Sequence, residues 1–173
     1  MTEKKEKILQ SALELFAGEG YFATSTSKIA KLAGVSEGLI FRHFENKEGL
    51  LKAVIGEGEA RFKSLYAEIV METDPEKVIA KTIDLPFSIN ESEYEFWKLQ
   101  FKLKWELKEK NPQKMEPMIM ALTNAFKKLN YEKPEMEAEL AVLILEGVSS
   151  AILKGTISDK NRLKSFLMKK YNL

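Results

Sequence analysis

Cysteine is absent from the chain and histidine occurs once. Without thiols there is no disulfide framework, no thiolate nucleophile and no zinc site of the finger or ribbon type. A single imidazole excludes a His-rich metal centre. No Glu-x-x-His pair and no phosphate-cradling glycine loop occurs, so neither zinc hydrolysis nor nucleotide chemistry has its usual residues. Glu91, Glu93 and Glu95 read as a solvated acidic loop. The expectation is a protein that is not an enzyme and needs no cofactor and no metal. Long apolar runs are missing too. Leu140 to Leu153 is interrupted by Glu146 and is short of the roughly 20 residues that cross a bilayer. The opening MTEKKEKILQSALELF lacks the unbroken apolar stretch of about 7 to 15 residues that a secretory signal carries. No membrane partner and a cytoplasmic location are expected.

What is present is enough to fold. The 173 residues are 45% hydrophobic and 31% charged, with a mean hydropathy of -0.26, which describes one compact domain or two small ones rather than a disordered tail. Net charge is only +1, so any anion-binding face must be local. Residues 62–97 carry Lys63, Lys77 and Lys81 against eight acids, whereas residues 26–52 carry Lys28, Lys31, Arg42, Lys47 and Lys52 against Glu37, Glu45 and Glu48.

Apolar residues recur at helical spacing almost throughout, as in Ile8, Ala12, Leu15 and Phe16, and again in Leu50, Leu51, Val54 and Ile55. No stretch alternates at period two. Breaks at Gly18 and Gly20, Gly34, Asp74-Pro75, Leu85-Pro86, Asn111-Pro112, Lys133-Pro134 and Ser158-Asp159 delimit about nine helices, so the expected class is all-α. Pieces between residues 24 and 46 are short and those after Lys47 are long. This sets a boundary between residues 1–47 and 48–173.

Thr24 to Phe44 reads TSTSKIAKLAGVSEGLIFRHF. Ser25 or Thr26 caps a helix whose inner face is Ile29, Ala30 and Ala33. Small Ala30 lets a second helix cross closely, Gly34 supplies a left-handed turn, and Val35 fills the gap. Ser36 then caps a second short helix that turns Ile40 and Phe44 inward and Glu37, Gly38, Leu39, Phe41, Arg42 and His43 outward. This is helix-turn-helix logic, and the outward set suits a major groove. Asn46 caps the following helix, whose first amides and Lys47 make a phosphate-binding end.

GYFATSTSKIAKLAGVSEGLIFRHFENKEGLLKAV resembles the N-terminal DNA-binding region of the TetR family of bacterial transcriptional regulators, over roughly residues 5–55. The resemblance rests on Gly20-Tyr21, Thr24 to Thr26, Ile29-Ala30, Ala33-Gly34-Val35-Ser36, Gly38, His43-Phe44, Lys47 and Leu50. It implies an N-terminal three-helix helix-turn-helix domain followed by a C-terminal helical domain that binds an effector and dimerises. It implies phosphate contacts at Ser25, Thr26, His43 and Lys47, and base reading from Ser27, Glu37, Gly38, Leu39 and Arg42, with Ser36 and Phe41 completing the DNA-facing set. Three positions depart from the family pattern. Phe41 replaces the usual Tyr and forfeits a phosphate-bonding hydroxyl, Leu39 stands where a small hydroxyl residue is common, and Glu37 replaces a basic or amide residue. Leu39 suits a thymine methyl. Glu37 either accepts from a cytosine amino group or repels phosphate.

Farther along, in a helix expected from roughly Ser92 to Glu109, Tyr94, Trp97, Phe101 and Trp105 share one helical line, and Phe96, Leu99, Leu103 and Leu107 the opposite one. The aromatic line either fills core or borders a small-molecule cavity. Met115, Met118 and Met120 favour the cavity, because thioether chains repack around varied guests. Tyr94, Trp97, Phe101, Trp105, Met115 and Met118 are the candidate effector contacts, for an apolar or amphipathic ligand. The helix from about Pro134 to Gly155 is apolar almost all round, and a second copy of the chain is the economical cover, with an intramolecular core as the alternative. Leu140, Leu143, Ile144, Gly147, Ser150 and Ala151, with Phe166 and Leu167 of the last helix, are the candidate dimer contacts. Gly56 and Gly58 mark either a pivot or tight packing. The resulting expectation is a homodimeric repressor on a roughly palindromic double-stranded DNA operator, released by a small effector. The alternative is a helical protein-binding adaptor that does not bind DNA.

Overall fold

Several helix starts in this chain are set by side chains that accept hydrogen bonds from otherwise unpaired amides. The computed structural model describes residues 3–107 and 115–173. Ser25 accepts from the Lys28 amide, Asp74 from Glu76 and Lys77, and Asp159 from Arg162, each at the start of a helix. Among the described residues there are nine α-helices and no strand: α1 (Glu3–Glu19), α2 (Thr26–Ala33), α3 (Glu37–Phe44), α4 (Lys47–Val70), α5 (Pro75–Ser88), α6 (Tyr94–Glu106), α7 (Glu116–Lys128), α8 (Pro134–Leu153) and α9 (Lys160–Lys170). A single 3-10 turn, Glu91–Glu93, precedes α6. The all-α expectation and the helix count hold.

Two boundaries differ from the sequence reading. Leu85-Pro86 does not break the chain, because Pro86 lies inside α5. Proline near a helix end forfeits one backbone bond without blocking the final turn. The Ser88 hydroxyl donates to the Leu85 carbonyl there. The helix expected from Ser92 begins at Tyr94, with the turn before it held by Asn90. The break expected at Asn111-Pro112 lies outside the described residues.

The chain divides into two units, residues 1–61 with 95–109 and residues 62–94 with 110–173. The division falls within α4. In the first unit Ile8, Leu13 and Phe16 of α1, Ile29 of α2, Ile40 of α3 and Leu50 of α4 are fully buried. Buried Thr24 donates to the carbonyls of Gly20 and Leu15, tying the end of α1 to the approach of α2. From α6, Gln100, only 2% exposed, donates from Nε2 to the Val54 carbonyl at 2.9 Å. Glu106 accepts from the Tyr21 amide at 3.2 Å, and the Arg61 guanidinium lies 4.2 Å above the Phe96 ring.

The second unit is a helical bundle. Ile79 and Ile83 of α5, Met118, Leu122 and Phe126 of α7, Ala138 and Leu145 of α8, and Leu167 of α9 form its core. The Phe126 ring meets Tyr131 edge-on at 4.9 Å, closing the turn between α7 and α8. Lys164 pairs with Asp84, joining α9 to α5. Glu72 accepts from Lys81 at 2.8 Å and from the amides of Thr73 and Asp74. The lysine first, and the two amides with it, pull its carboxyl from the ordinary 4.5 down to about 2.

Two outcomes follow from this packing. A Cβ at Gly58 would sit 2.5 Å from the buried Gln100 amide, whereas one at Gly56 would meet open space. Gly58→Ala should therefore cost about 1–3 kcal/mol by overpacking, and Gly56→Ala should gain up to about 1 kcal/mol of helix propensity. Thermal melts showing the same sign for both would refute this. For Glu72 the folded-state pKa lies below the unfolded one, so its stabilisation is present above about pH 4.5 and disappears as pH falls toward about 2. The melting-temperature difference between the wild type and Glu72→Gln should shrink across that window and stay constant above it.

Candidate nucleic-acid interface

The surface of α2 and α3 is built from the turn that joins them. At the end of α2 the chain passes through Gly34 with φ of 66°, a left-handed conformation that a Cβ disfavours and glycine adopts freely. The Gly34 amide bonds back to α2 and the Val35 amide donates to the Ala30 carbonyl at 3.0 Å. This double closure is the Schellman arrangement. It delivers the chain into α3 with Ile40 and Phe44 buried beneath.

Ser25 caps α2 through its side chain. Ser36 occupies the corresponding position of α3 but makes no side-chain cap bond, so the expected capping role falls to its carbonyl, which accepts from the Leu39 amide at 3.0 Å. Its hydroxyl is exposed and uncommitted. The turn from α3 to α4 is equally constrained. Glu45 has φ of 66°, and a Cβ at Gly49 would overlap the Phe44 carbonyl oxygen. Only glycine lets the first turn of α4 approach α3 this closely. Asn46 accepts from the Gly49 amide at 2.8 Å, capping α4, and Lys47 lies 4.4 Å over the Tyr21 ring.

None of the eleven expected DNA contacts, Ser25, Thr26, Ser27, Ser36, Glu37, Gly38, Leu39, Phe41, Arg42, His43 and Lys47, is buried. Gly38, Phe41 and Arg42 are exposed, and Glu37, Leu39 and His43 are half-buried. One pairing is invisible in the sequence. The Thr26 hydroxyl donates to the Glu37 carboxylate at 2.6 Å, so two expected contacts satisfy each other across α2 and α3. The separation of eleven residues across a turn gives no local signal for this bond. A groove of about 520 Å³ runs beside α3 and is bordered by Gly38, Leu39 and Arg42.

The expected effector contacts are divided between the units. Trp97, Phe101 and Trp105 lie in the first, and Tyr94, Met115 and Met118 in the second. Trp97 is buried and stacks edge-on against Phe96, Phe101 is half-buried, and Trp105 is 81% exposed. Met118 is fully buried in the bundle core, with Met115 packed against that core. The Lys160 ammonium donates to the Tyr94 hydroxyl. Two buried polar atoms of α6, Trp97 Nε1 and Gln100 Oε1, have no hydrogen-bond partner among the described residues. Of the expected dimer contacts, Leu140, Leu143, Gly147 and Phe166 are exposed and Ile144, Ser150 and Ala151 half-buried, while Leu167 sits in the bundle core. No group of acids and histidines suited to a metal occurs among the described residues, and no helix there is long and apolar enough to cross a membrane.

Paired short helices closed by a left-handed glycine, with an exposed second helix and a capped helix following, define a helix-turn-helix protein. Residues 8–54 match the family model described as bacterial regulatory proteins, tetR family. Over those residues the chain is similar to that family. It is 25% identical over 168 residues to the HTH-type transcriptional repressor AcnR of Corynebacterium glutamicum, covering 91% of this chain and 81% of that one. A transcriptional regulator of Aquifex aeolicus has the same fold, with a TM-score of 0.60 and 28% identity over 96% of this chain and 94% of that one. The regulator FadR of Bacillus subtilis, in complex with stearoyl-CoA, shares the fold at a TM-score of 0.64 and 21% identity, over 95% of both chains. Several other curated relatives match over a shorter reach, and the chain spans about a third to a half of their length.

Proposed function

We propose that this chain is a sequence-specific DNA-binding transcriptional regulator, a homodimeric repressor that leaves a roughly palindromic operator when a small apolar or amphipathic effector binds. One observation carries the reading. The Gly34 turn holds α3 with Gly38, Phe41 and Arg42 exposed beside the Asn46-capped start of α4, within the segment that matches the family. Residues 1–47 then form the DNA-reading domain and 48–173 the effector-binding and dimerising one.

In this reading the outward residues of α3 touch base edges, while Ser25, His43 and Lys47 bind phosphate and fix the register. Thr26 shares its hydroxyl with Glu37, which leaves one carboxylate oxygen for a base amino group. Self-pairing is supported by a stripe along α8. Met136, Leu140, Leu143 and Gly147 are all exposed at helical spacing, and Leu143 and Phe166 are each 64% exposed. Apolar residues so grouped mark an association surface. Two copies bring two α3 helices to one duplex, where half-sites repeat at about 34–36 Å.

Effector binding is assigned to α6 beside Trp97 and Phe101. A buried N–H and a buried amide oxygen left unpaired each cost roughly 1–3 kcal/mol. A ligand with an apolar body and a polar group able to both accept and donate would relieve both, which fits the amphipathic class to which stearoyl-CoA belongs. Release requires that the effector prefer a state whose recognition helices are wrongly spaced, a coupling typically of about 1–3 kcal/mol.

Selection of DNA fragments by the purified protein near physiological salt should recover a palindrome. Arg42→Ala should weaken its binding by about 1–3 kcal/mol and relax specificity at one position of each half-site, and Leu143→Glu should abolish two-site binding. Recovery of no sequence, with no salt-dependent retention of duplex DNA, would favour the protein-binding adaptor. Trp emission should change on addition of an inducer drawn from a library of hydrophobic ligands that includes a long-chain acyl-CoA, and Trp97→Phe should remove most of that change. An inducer that releases DNA with emission unaltered refutes the placement.

A further inference from the structure

Helices α1 to α3 carry six lysine and arginine side chains, and their surroundings sort them into two groups. Lys7 is held by Glu3 at 2.7 Å and Lys28 by Glu19 at 2.6 Å, while Lys5 lies 5.6 Å over the Phe44 ring. The other three, Lys4, Lys31 and Arg42, have no carboxylate within ion-pair distance among the described residues, and all three border the groove of about 520 Å³ beside α3. No acidic residue lines it. The nearest acid in sequence, Glu3, is already engaged by Lys7.

Three like charges gathered in one concavity repel one another and raise the local positive potential, a cost that an anion in the groove reverses. The groove is also bordered by Gly38 and Leu39 of the outward face of α3 and by Ser36, whose hydroxyl makes no cap bond and is free to donate. A polyanion laid against α3 therefore runs its repeated charges through this groove. We propose that the groove seats the DNA backbone, with Lys4 from α1 and Lys31 from α2 each contacting a phosphate next to the bases that α3 reads. This rests on the DNA-binding reading above and extends the interface to a helix, α1, that it did not include. Both lysines act as positioning residues, since phosphate contacts set register without reading sequence.

The test is the salt dependence of binding, measured on the selected operator and on a random duplex of equal length. Removing one lysine–phosphate pair should flatten the slope of log K against log salt by about 0.9 for every chain on the DNA. Lys4→Gln and Lys31→Gln should each show this on both duplexes, Lys4→Arg and Lys31→Arg should restore it, and Lys63→Gln should leave the slope alone. Ratios of affinity between the operator and its single-base variants should be unchanged by the glutamine substitutions. Both side chains are exposed, and circular dichroism melts of all variants should match the wild type. Wild-type binding with slopes unaltered in both glutamine variants overturns this proposal alone, as does a change in base discrimination. A wild type that binds no DNA overturns the functional reading with it.

Discussion

The left-handed backbone at Gly34 is the constraint on which the α2–α3 surface depends. With φ of 66° there, α2 ends in one residue, the Val35 amide returns to the Ala30 carbonyl, and α3 departs at an angle that buries Ile40 and Phe44 against the helices beneath. Burial of those two side chains leaves the remaining faces of an eight-residue helix at the surface. A second glycine plays the same part farther on. The Phe44 carbonyl abuts Gly49 so closely that no side chain fits between α3 and the start of α4. The short helices are too small to be stable alone, since helix nucleation is costly and isolated helices under about 12 residues are marginal. They exist because these turns place their apolar faces in a common core.

Electrostatics then differentiates the surface. A chain with a net charge of +1 offers no general attraction to polyanions. Local pairing produces the asymmetry: acids neutralise Lys7 and Lys28, and Lys4, Lys31 and Arg42 are left together beside α3. Exposed ion pairs contribute little to stability, so their main effect is on where uncompensated charge lies. The Thr26–Glu37 bond is part of the same pattern, holding a carboxylate of α3 against α2.

α6 connects chemistry to fold in a different way. Its Gln100 is bonded to the α4 backbone and seated on Gly58, and its Glu106 holds the Tyr21 amide. The helix is thus fastened to the first unit by polar contacts as well as by Phe96 and Leu103. Tight packing accounts for Gly58, while Gly56 has free space around it.

Periodicity, helix caps and the Ala33-Gly34-Val35-Ser36 turn are enough to establish an all-α chain with an N-terminal helix-turn-helix, because those signals are local: each depends on residues within one or two turns of one another. The same locality explains where expectation and structure part. Proline ends helices in general, so Pro86 reads as a break, yet two residues from the end of α5 it breaks nothing. Serine before a short helix reads as a side-chain cap, but the Ser36 hydroxyl makes no such bond. Tertiary structure alone decides which cations remain unpaired, that Thr26 reaches Glu37, that Gln100 lies against Gly58, and that Leu167 is core while Phe166 is exposed. These depend on distances between segments far apart in the chain, and such distances are fixed only when the helices pack.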